Sequence, residues 1–258
     1  MIPLERQRSI LRQLEQQPSV SIAALVQELD VSHMTVRRDI RRLEELGKVI
    51  SVPGGVSRPE RLALDLSHEV KEGLQPAAKQ AIARQAAGQV QPGNVVFLDA
   101  GTTTLAIARE LAEVPQLVVV TNDLAIALAV CESGSNQLYF VGGSVDMSNQ
   151  SSQGSTAASQ IGQFNVDVAF VSTSSFDLRG ISVPSDAKLA VKKAIHAGAV
   201  RTILASDSSK YGRVASLQAL KLTEFDAIIC DDELPESAAE GIRDLGVSLI
   251  LTNEHLQH

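Results

Sequence analysis

Apolar residues in the first sixty positions recur at the spacing of short helices, and the pattern then changes to alternation. The second helical stripe has apolar residues at i, i+3, i+4 and i+7, namely Ile22, Leu25, Val26 and Leu29. Ser21 and Ser32 stand just before the second and third stripes, where a hydroxyl can cap a helix by accepting a backbone N–H. Residues 48–52 then alternate like a short strand, and residues 53–55 (PGG) supply a turn. Three helices and a hairpin predict a winged helix-turn-helix.

The pattern from residue 79 onward is different, because short β-rich runs alternate with helical stretches. The strand-like runs are 95–98, 117–121, 137–141, 166–172, 202–206, 227–230 and 247–251. The helical stretches are 104–112, 124–131, 155–163, 188–197 and 236–245. Such alternation predicts an α/β fold in which a mostly parallel sheet is covered by helices on both faces.

The chain is therefore expected to have three parts: a winged helix-turn-helix over residues 1–56, a partly helical linker over 57–78, and an α/β domain over 79–258. Charge follows this division. The whole chain has a net charge of −7, yet residues 1–61 hold ten basic and eight acidic side chains, a net of +2. A locally basic segment on an acidic body indicates that only the N-terminal part meets a polyanion.

The third helix, residues 33–46, carries the residues expected to read DNA. It buries three apolar residues: Val36, Ile40 and Leu43. Its other face is polar and rich in arginine, and an α-helix of this kind fits the major groove, where arginine binds guanine through two hydrogen bonds. The candidate DNA-binding residues are Ser32, His33, Met34, Thr35, Arg37, Arg38 and Arg41. Arg41 and Arg42 are expected to touch the DNA backbone or to pair with Glu44 and Glu45.

Composition excludes several classes of protein. The longest apolar run, residues 124–131, has eight residues, whereas a transmembrane helix needs about 18. The N-terminus is basic and lacks the apolar core of a signal peptide. Two cysteines, Cys131 and Cys230, cannot build a disulfide framework and are interpreted as buried small residues. We therefore expect a cytoplasmic protein that does not associate with a membrane and that binds neither a metal nor a cofactor.

A resemblance to a known family appears at the third helix. Residues 31–40 read VSHMTVRRDI and residues 54–56 read GGV, which resembles the DeoR family of bacterial transcription regulators and its pattern V-S-x-x-T-I-R-R-D-L followed by a wing ending in G-G-A. The resemblance implies binding to double-stranded operator DNA as a homo-oligomer, a dimer or a tetramer. The family usually has a basic residue and a histidine in the wing, where this chain has Ser51 and Pro53. We therefore expect the third helix to contribute more than the wing.

Polar residues follow the strands of the predicted sheet. The run 95–98 leads into residues 99–104 (DAGTTT) and then into a helix, so backbone N–H groups and threonine hydroxyls gather at a helix N-terminus. Such a terminus binds anions, phosphate above all. Four other strand-like runs are followed by polar turns, and ligands of open α/β sheets bind outside the carboxyl ends of the strands. The turn has no Walker lysine and no G-x-G-x-x-G, which disfavours a nucleotide.

The same polar turns resemble the DeoR family's effector domain, which carries D-x-G-T-T, T-N, G-G and D-S-S-K-Y-G. The resemblance spans nearly the whole chain. It implies a fold similar to ribose-5-phosphate isomerase and an effector that is a phosphorylated sugar or a related sugar metabolite. The implied effector-binding residues are Asp99, Gly101, Thr102, Thr103, Thr104, Asn122, Gly143, Ser172, Lys192, Asp207 and Lys210. We expect Lys210 to act as a mobile positive charge, and Asp99 and Asp207 to bind sugar hydroxyls or loop N–H groups.

One stretch of the effector domain departs from the family. Lys192 lies in a segment that looks like the family's E-V-K-R-A, but the acidic residues common just before it are replaced here by Ala187, Lys188 and Ala190. A more basic pocket wall predicts room for an additional anionic group on the effector, such as a carboxylate.

Three functions remain open from the sequence. The first is a repressor of a carbohydrate-utilisation operon that is released by a phosphorylated sugar. The second is a sugar-phosphate isomerase with an accessory DNA-binding domain, for which Asp99, Asp186 and Asp207 are the candidate bases. The third is an architectural DNA-binding protein without a ligand. The converging polar turns argue against the third, and no feature pairs a carboxylate with an acid as the second requires.

Overall fold

The computed structural model of this chain describes residues 1–62 and 65–253. Two residues of the predicted linker and the last five of the predicted α/β domain lie outside these ranges. The helices are α1 (Pro3–Gln16), α2 (Ile22–Leu29), α3 (His33–Glu45), α4 (His68–Glu72), α5 (Pro76–Ala87), α6 (Thr102–Glu110), α7 (Leu124–Ser133), α8 (Gly154–Ile161), α9 (Asp186–Gly198) and α10 (Glu236–Asp244). The first strands are β1 (Ser19–Ser21), β2 (Ile50–Val52), β3 (Gly55–Ser57), β4 (Glu60–Arg61), β5 (Val95–Leu98), β6 (Val118–Thr121), β7 (Gln137–Phe140), β8 (Ser144–Asp146) and β9 (Ser151–Gln153). The remaining strands are β10 (Val166–Val171), β11 (Phe176–Asp177), β12 (Gly180–Val183), β13 (Ala199–Ala205), β14 (Arg213–Val214), β15 (Leu217–Lys221), β16 (Ala227–Asp231) and β17 (Ser248–Thr252).

The N-terminal elements form the predicted winged helix-turn-helix. Helices α1, α2 and α3 pack around a cluster of buried aliphatic side chains. Ser21 and Ser32 cap α2 and α3 as predicted, because their hydroxyls accept the backbone N–H groups of Ala24 at 3.1 Å and Thr35 at 3.2 Å. Strands β2 and β3 form the wing hairpin, and β1 pairs with β3 as a third strand. The sequence does not predict β1, since three residues are too few to show alternation.

All seven predicted strands of the larger domain are present in one parallel sheet, ordered β17-β16-β13-β10-β5-β6-β7. Alternate residues of the central strands enter two separate cores, as Phe97 and Ala169 do on one face and Val96 and Phe170 on the other. Helices α8, α9 and α10 cover the first face, and α5, α6 and α7 cover the second. The chain reverses its direction of winding between β5 and β10, so the crevice at their carboxyl ends is the favoured place for a ligand.

Several small elements lie outside the predicted pattern. Strands β11, β12 and β15 form an antiparallel sheet, and β8 and β9 form a hairpin. Within the predicted linker, β4 pairs with β14 of the larger domain and α4 forms one short helix. Helix α5 begins at Pro76 and so crosses the predicted boundary between residues 78 and 79. These strands have only two to five residues each, which is too short for a periodic signal.

The structure tests two expectations that were drawn from the composition. None of the described helices is both long enough and apolar enough to cross a bilayer. Cys230 is buried as expected, but the same interpretation of Cys131 is wrong, because Cys131 is exposed. Cys131 lies on the outer side of α7, whose other face already fills the core with Ile126 and Val130.

Candidate functional site

Helix α3 presents the predicted DNA-reading residues to solvent. Met34 is 75% exposed, and His33, Arg37 and Arg38 are exposed as well, whereas Thr35 is half-buried. Within the described part of the chain, the guanidinium groups of Arg37 and Arg38 have no ion-pair partner among the carboxylates. Two unpaired cations on an exposed helix are available to guanine bases or to phosphates.

Arg41, a predicted DNA-binding residue, makes an ion pair that the sequence did not predict. It pairs with Asp244 at the end of α10, in the larger domain. Of the expected pairings of Arg41 and Arg42 with Glu44 and Glu45, one is confirmed, because Arg42 donates to Glu45 at 2.9 Å. Asp244 is two hundred residues away along the chain, so no local spacing could reveal this contact.

The wing departs from the family's usual chemistry for a structural reason. Ser51 is buried, and both its backbone N–H and its hydroxyl donate to the carboxylate of Glu44, at 2.9 and 2.8 Å. The serine therefore ties the wing to the end of α3. Pro53 at the hairpin turn is exposed but has no N–H to donate.

A pocket lies at the carboxyl ends of β5, β6, β10 and β13, at the predicted edge of the sheet. Nine of the predicted effector-binding residues line it: Asp99, Gly101, Thr102, Thr103, Asn122, Ser172, Lys192, Asp207 and Lys210. Thr104 is buried behind them and donates to the carbonyl of Gly101 at 2.8 Å. Gly143 is not part of the lining and packs against Gln153 and Ala157.

The floor of the pocket is the N-terminus of α6. The first-turn N–H groups of a helix have no intrahelical acceptor, and here they stand beside the hydroxyls of Thr102 and Thr103. Gly101 adopts a φ of +156°, and a Cβ at this position would clash with the side chain of Ser172. Only glycine therefore allows this close turn. The arrangement suits an anion with several oxygens, such as phosphate.

The predicted lysines of the pocket are held by aspartates. Lys192 pairs with Asp99 and donates to the carbonyl of Ser172 at 2.5 Å. The carboxylate of Asp99 also accepts the N–H of Ser172 at 2.9 Å, which confirms its expected contact with a loop N–H group. Lys210 is 8% exposed and lies 3.8 Å from the carboxylate of Asp207. The expectation of a mobile Lys210 is therefore wrong, because burial and this carboxylate confine its side chain.

The sequence indicated Lys188 as part of a basic pocket wall, and Lys188 does line the pocket. Four other charged or titratable lining residues, which come from the linker and from α5, were not predicted: Asp65, His68, Lys71 and Lys79. The ammonium of Lys79 donates to the carbonyl of Lys71. Burial lowers the pKa of Lys79 to about 8, although Asp207 opposes the shift. The sequence signal that could have revealed Lys79 is a lysine on the buried face of an alanine-rich helix, because such a position is normally apolar.

Asp65 lies between two of these lysines. Its carboxylate is 2.8 Å from Lys71 and 2.8 Å from Lys188, and it accepts the hydroxyl of Ser174 at 2.8 Å. Burial alone would raise the pKa of Asp65, but the two ammonium groups together lower it to about 2. Burial lowers the pKa of Lys71, against the attraction of Asp65. Asp65 is thus a carboxylate at neutral pH.

Three buried polar atoms of the pocket lining have no hydrogen-bond partner among the residues that the structure describes: Nε2 of His68, Oδ1 of Asn122 and Oε1 of Gln153. The amide nitrogen of Asn122 is engaged, because it donates to the carbonyl of Ser152 at 2.9 Å. Buried polar atoms without partners are costly, so these positions are suited to the hydroxyl groups of a ligand.

The loop from Asp207 to Gly212 connects the pocket to the DNA-binding domain. Tyr211 directly follows Lys210, and its hydroxyl donates to Glu44 of α3 at 2.8 Å. Burial raises the pKa of Tyr211 well above its usual value, and the neighbouring Glu44 carboxylate adds to the shift. The carbonyl of Gly212 accepts the N–H of Glu60 at 3.1 Å, at the start of β4. One loop therefore contacts the pocket, the end of α3 and the linker.

Comparison with known proteins agrees with this two-part arrangement. Residues 6–61 match the DeoR-like helix-turn-helix domain, and residues 74–232 match the DeoR C terminal sensor domain. The HTH-type transcriptional regulator YgbI of Escherichia coli (strain K12) is 45% identical over 97% of this chain and 98% of its own length. The glycerol-3-phosphate regulon repressor of Escherichia coli (strain K12) is 28% identical over 98% of this chain and 97% of its own length. Ribose 5-phosphate isomerase from Plasmodium falciparum covers 52% of each chain, with 17% identity and a TM-score of 0.38.

Proposed function

Because this chain belongs to the DeoR family of transcriptional regulators, we propose that it represses a carbohydrate-utilisation operon and leaves its operator when a phosphorylated sugar fills the pocket. The exposed face of α3 supports operator binding through Arg37 and Arg38. A relative named as the repressor of a glycerol-3-phosphate regulon favours repression over activation.

The observation that carries the proposal is the composition of the pocket. A helix N-terminus and the lysines Lys79 and Lys210 match a phosphate group. The unpartnered atoms of Asn122 and His68 match the hydroxyls of a sugar. An architectural DNA-binding function gives this pocket no role, so we disfavour a function without a ligand.

The path from ligand to DNA is the loop after β13. A phosphate beside Lys210 competes with Asp207 for its ammonium group, and any shift of this loop moves Tyr211 against Glu44. For release to follow, the ligand must bind one of two arrangements of the domains more tightly than the other.

We further propose that the chain works as a homo-oligomer. Two recognition helices on half-sites about 34 Å apart read an operator with twofold symmetry. The candidate interface is an apolar edge surface of Leu124, Leu128, Tyr139 and Phe140, all exposed, beside the outer strand β7. Among the strands that the structure describes, β7 pairs only with β6, so a second copy can pair with its outer edge.

An isomerase activity is not favoured. Isomerisation needs a carboxylate that is free to take a carbon-bound proton. Asp99 and Asp207 are engaged by Lys192 and Lys210, and Asp186 is exposed outside the pocket lining. The engaged carboxylates therefore support a sensor over an isomerase.

A thermal-shift screen of phosphorylated sugars tests this proposal. A ligand at 100 times its dissociation constant stabilises by about 2.7 kcal/mol, which raises the melting temperature of a domain of this size by about 5–10 °C. The ligand found in this way should then release the protein from a duplex selected from a random pool. Lys210→Ala should bind that duplex but ignore the ligand, and Lys221→Ala, an exposed lysine on β15, should behave as the wild type. If no phosphorylated sugar shifts the melting temperature, the proposal is wrong.

A further inference from the structure

We propose that the effector carries a carboxylate as well as a phosphate, and that Lys71 and Lys188 bind this carboxylate in place of Asp65. The inference rests on the proposed function, because it places the second charge of a ligand whose phosphate lies at the N-terminus of α6. It assigns the ligand to the phosphorylated sugar acids.

Lys188 occupies a position where a cation needs a partner. It lies in the first turn of α9, two residues after the first helical residue, and Ser185 caps the helix by accepting its N–H. The positive end of the helix dipole disfavours a lysine there and attracts an anion. Lys188 lines the pocket and contacts Oδ2 of Asp65, and Lys71 contacts the other oxygen of the same carboxylate. Two ammonium groups and a helix terminus thus form one anion subsite.

Asp65 fills this subsite from outside the α/β domain. It belongs to the segment between β4 and α4, and its contacts with the subsite are the two lysines and the hydroxyl of Ser174. Asp146 also lies 3.4 Å from Lys188, but its oxygens accept from Ser148 and Asn149, which hold it in its own turn. Asp65 is therefore the carboxylate that a ligand can displace from the two lysines. A sugar acid would supply the same chemical group.

Charge balance selects a carboxylate over a hydroxyl. Lys71 and Lys188 are mostly buried and are balanced by Asp65 and Asp146. A ligand carboxylate that replaces Asp65 keeps this balance. A neutral hydroxyl would leave an uncompensated buried charge, which is costly. A phosphate ester without a carboxylate therefore leaves Asp65 in place, whereas a sugar-acid phosphate displaces Asp65 from the two lysines.

Matched ligand pairs test the inference. Titration calorimetry would compare 6-phosphogluconate with glucitol 6-phosphate, and the corresponding four- and five-carbon aldonate and alditol phosphates. Members of a pair differ only in a terminal carboxylate or CH₂OH. We expect the aldonate phosphate to bind at least about tenfold more tightly at one chain length or more, as a charge-assisted hydrogen bond allows. Equal affinities at every length would overturn the inference and leave the proposed function standing. Failure of every phosphate to bind would overturn both.

Three variants separate the subsite from general effects of charge, and thermal denaturation of each checks that it folds. Lys188→Gln should lower the affinity for the aldonate phosphate to that of the alditol phosphate. Lys193→Gln, an exposed lysine on the same helix, should retain the preference. Asp65→Asn should tighten aldonate binding and leave alditol binding unchanged, because it removes the internal competitor. Weaker aldonate binding by Asp65→Asn would contradict the proposed exchange.

Discussion

At the scale of single residues, the lysines of the pocket differ in whether a nearby carboxylate neutralises their positive charge. Lys192 and Lys210 each have an aspartate nearby, but among the described residues no carboxylate lies within ion-pair distance of Lys79. Its ammonium donates instead to the carbonyl of Lys71. Lys79 is thus a buried cation that lacks a counter-ion until a ligand supplies one, and this makes its protonation sensitive to binding.

Phosphate binding should therefore depend on pH through Lys79. With a pKa of about 8, this lysine is mostly charged at pH 7 and neutral at pH 9. A phosphate ester stays mostly dianionic across this range because its second pKa is about 6. Binding favours the charged lysine, so affinity should fall by about tenfold from pH 7 to pH 9. Calorimetry with an alditol phosphate measures the change.

The variant Lys79→Gln provides the control for this prediction. It should bind the alditol phosphate more weakly at pH 7 and lose most of the pH dependence. A full tenfold fall in Lys79→Gln would assign the titration to another group, and Lys71, whose pKa is also lowered by burial, is the neighbour that would then be tested.

The exposed arginines of α3 should affect only DNA binding. An arginine–guanine pair contributes about 1–3 kcal/mol, so Arg37→Ala and Arg38→Ala should each weaken specific binding by about 5- to 150-fold. Binding of phosphorylated ligands should not change, because both side chains lie outside the pocket lining. Arg12→Ala removes an exposed arginine from α1 and serves as the control in the same fluorescence-anisotropy titration.

A salt series distinguishes the two possible roles of each arginine. Loss of a phosphate contact lowers the dependence of affinity on salt by about one unit of slope, and it weakens all sequences alike. Loss of a base contact relaxes the sequence preference at one position instead. Unchanged affinity and unchanged slope in both variants would remove α3 from the interface.

At the scale of elements, the sequence predicts the helices and strands whose hydrophobic pattern is long and regular. The central parallel strands are buried on both faces, so runs such as Val95–Leu98 are continuously apolar and stand out from their flanks. The caps Ser21 and Ser32 are equally visible, because their hydrogen bonds are local. Eight of the nine pocket residues follow strands that end at this edge of the sheet, whereas Lys192 lies within α9 and was implied only by the resemblance to the family's E-V-K-R-A segment.

The elements that the sequence does not predict depend on distant partners. Strand β4 has two residues and exists because β14 pairs with it from the other end of the chain. Asp65 and Lys71 enter the pocket from a segment that looks like a linker, and their roles follow from Lys188 in α9. Ser51 departs from the family's wing chemistry, and only its bonds to Glu44 explain why. Tertiary contacts decide each of these cases.

The loop between β13 and β14 should transmit the ligand signal through Tyr211. Tyr211→Phe removes the hydroxyl that Glu44 accepts, while Glu44 keeps both bonds from Ser51. A hydrogen bond to a charged group contributes about 1.5–3 kcal/mol, so modest destabilisation is expected. Operator and ligand affinities measured separately should stay near the wild type, but the ligand should no longer weaken operator binding.

The only other tyrosine of the sequence, Tyr139, offers a matched control for this experiment. It lies on β7, 44% exposed, and its hydroxyl contacts Gln137. Tyr139→Phe should therefore respond to the ligand as the wild type does. A Tyr211→Phe protein that still releases the operator on ligand addition would show that the signal travels by another path, for which the pairing of β4 with β14 is the remaining candidate.

At the scale of the whole molecule, the apolar edge surface marks where a second copy should bind. Leu124 and Leu128 are four residues apart on α7 and so share one helix face, and Leu128 is 59% exposed. Exposed aliphatic and aromatic side chains beside an open strand edge are a liability in a monomer and an interface in an oligomer. A twofold axis at this edge would bring two β7 strands together as antiparallel neighbours and would extend the sheet across both copies.

Leu128→Glu should break this interface, because it places two buried carboxylates near the axis without partners. Light scattering after size-exclusion chromatography should give at least twice the mass of one chain for the wild type and a single chain for the variant. Val200→Glu introduces the same charge at an exposed position on β13 and should leave the mass unchanged. Operator binding should weaken with Leu128→Glu, since each recognition helix then binds its half-site alone, while ligand binding should persist. A variant that remains oligomeric would move the interface to another surface, and a wild type that is monomeric would contradict the proposed assembly.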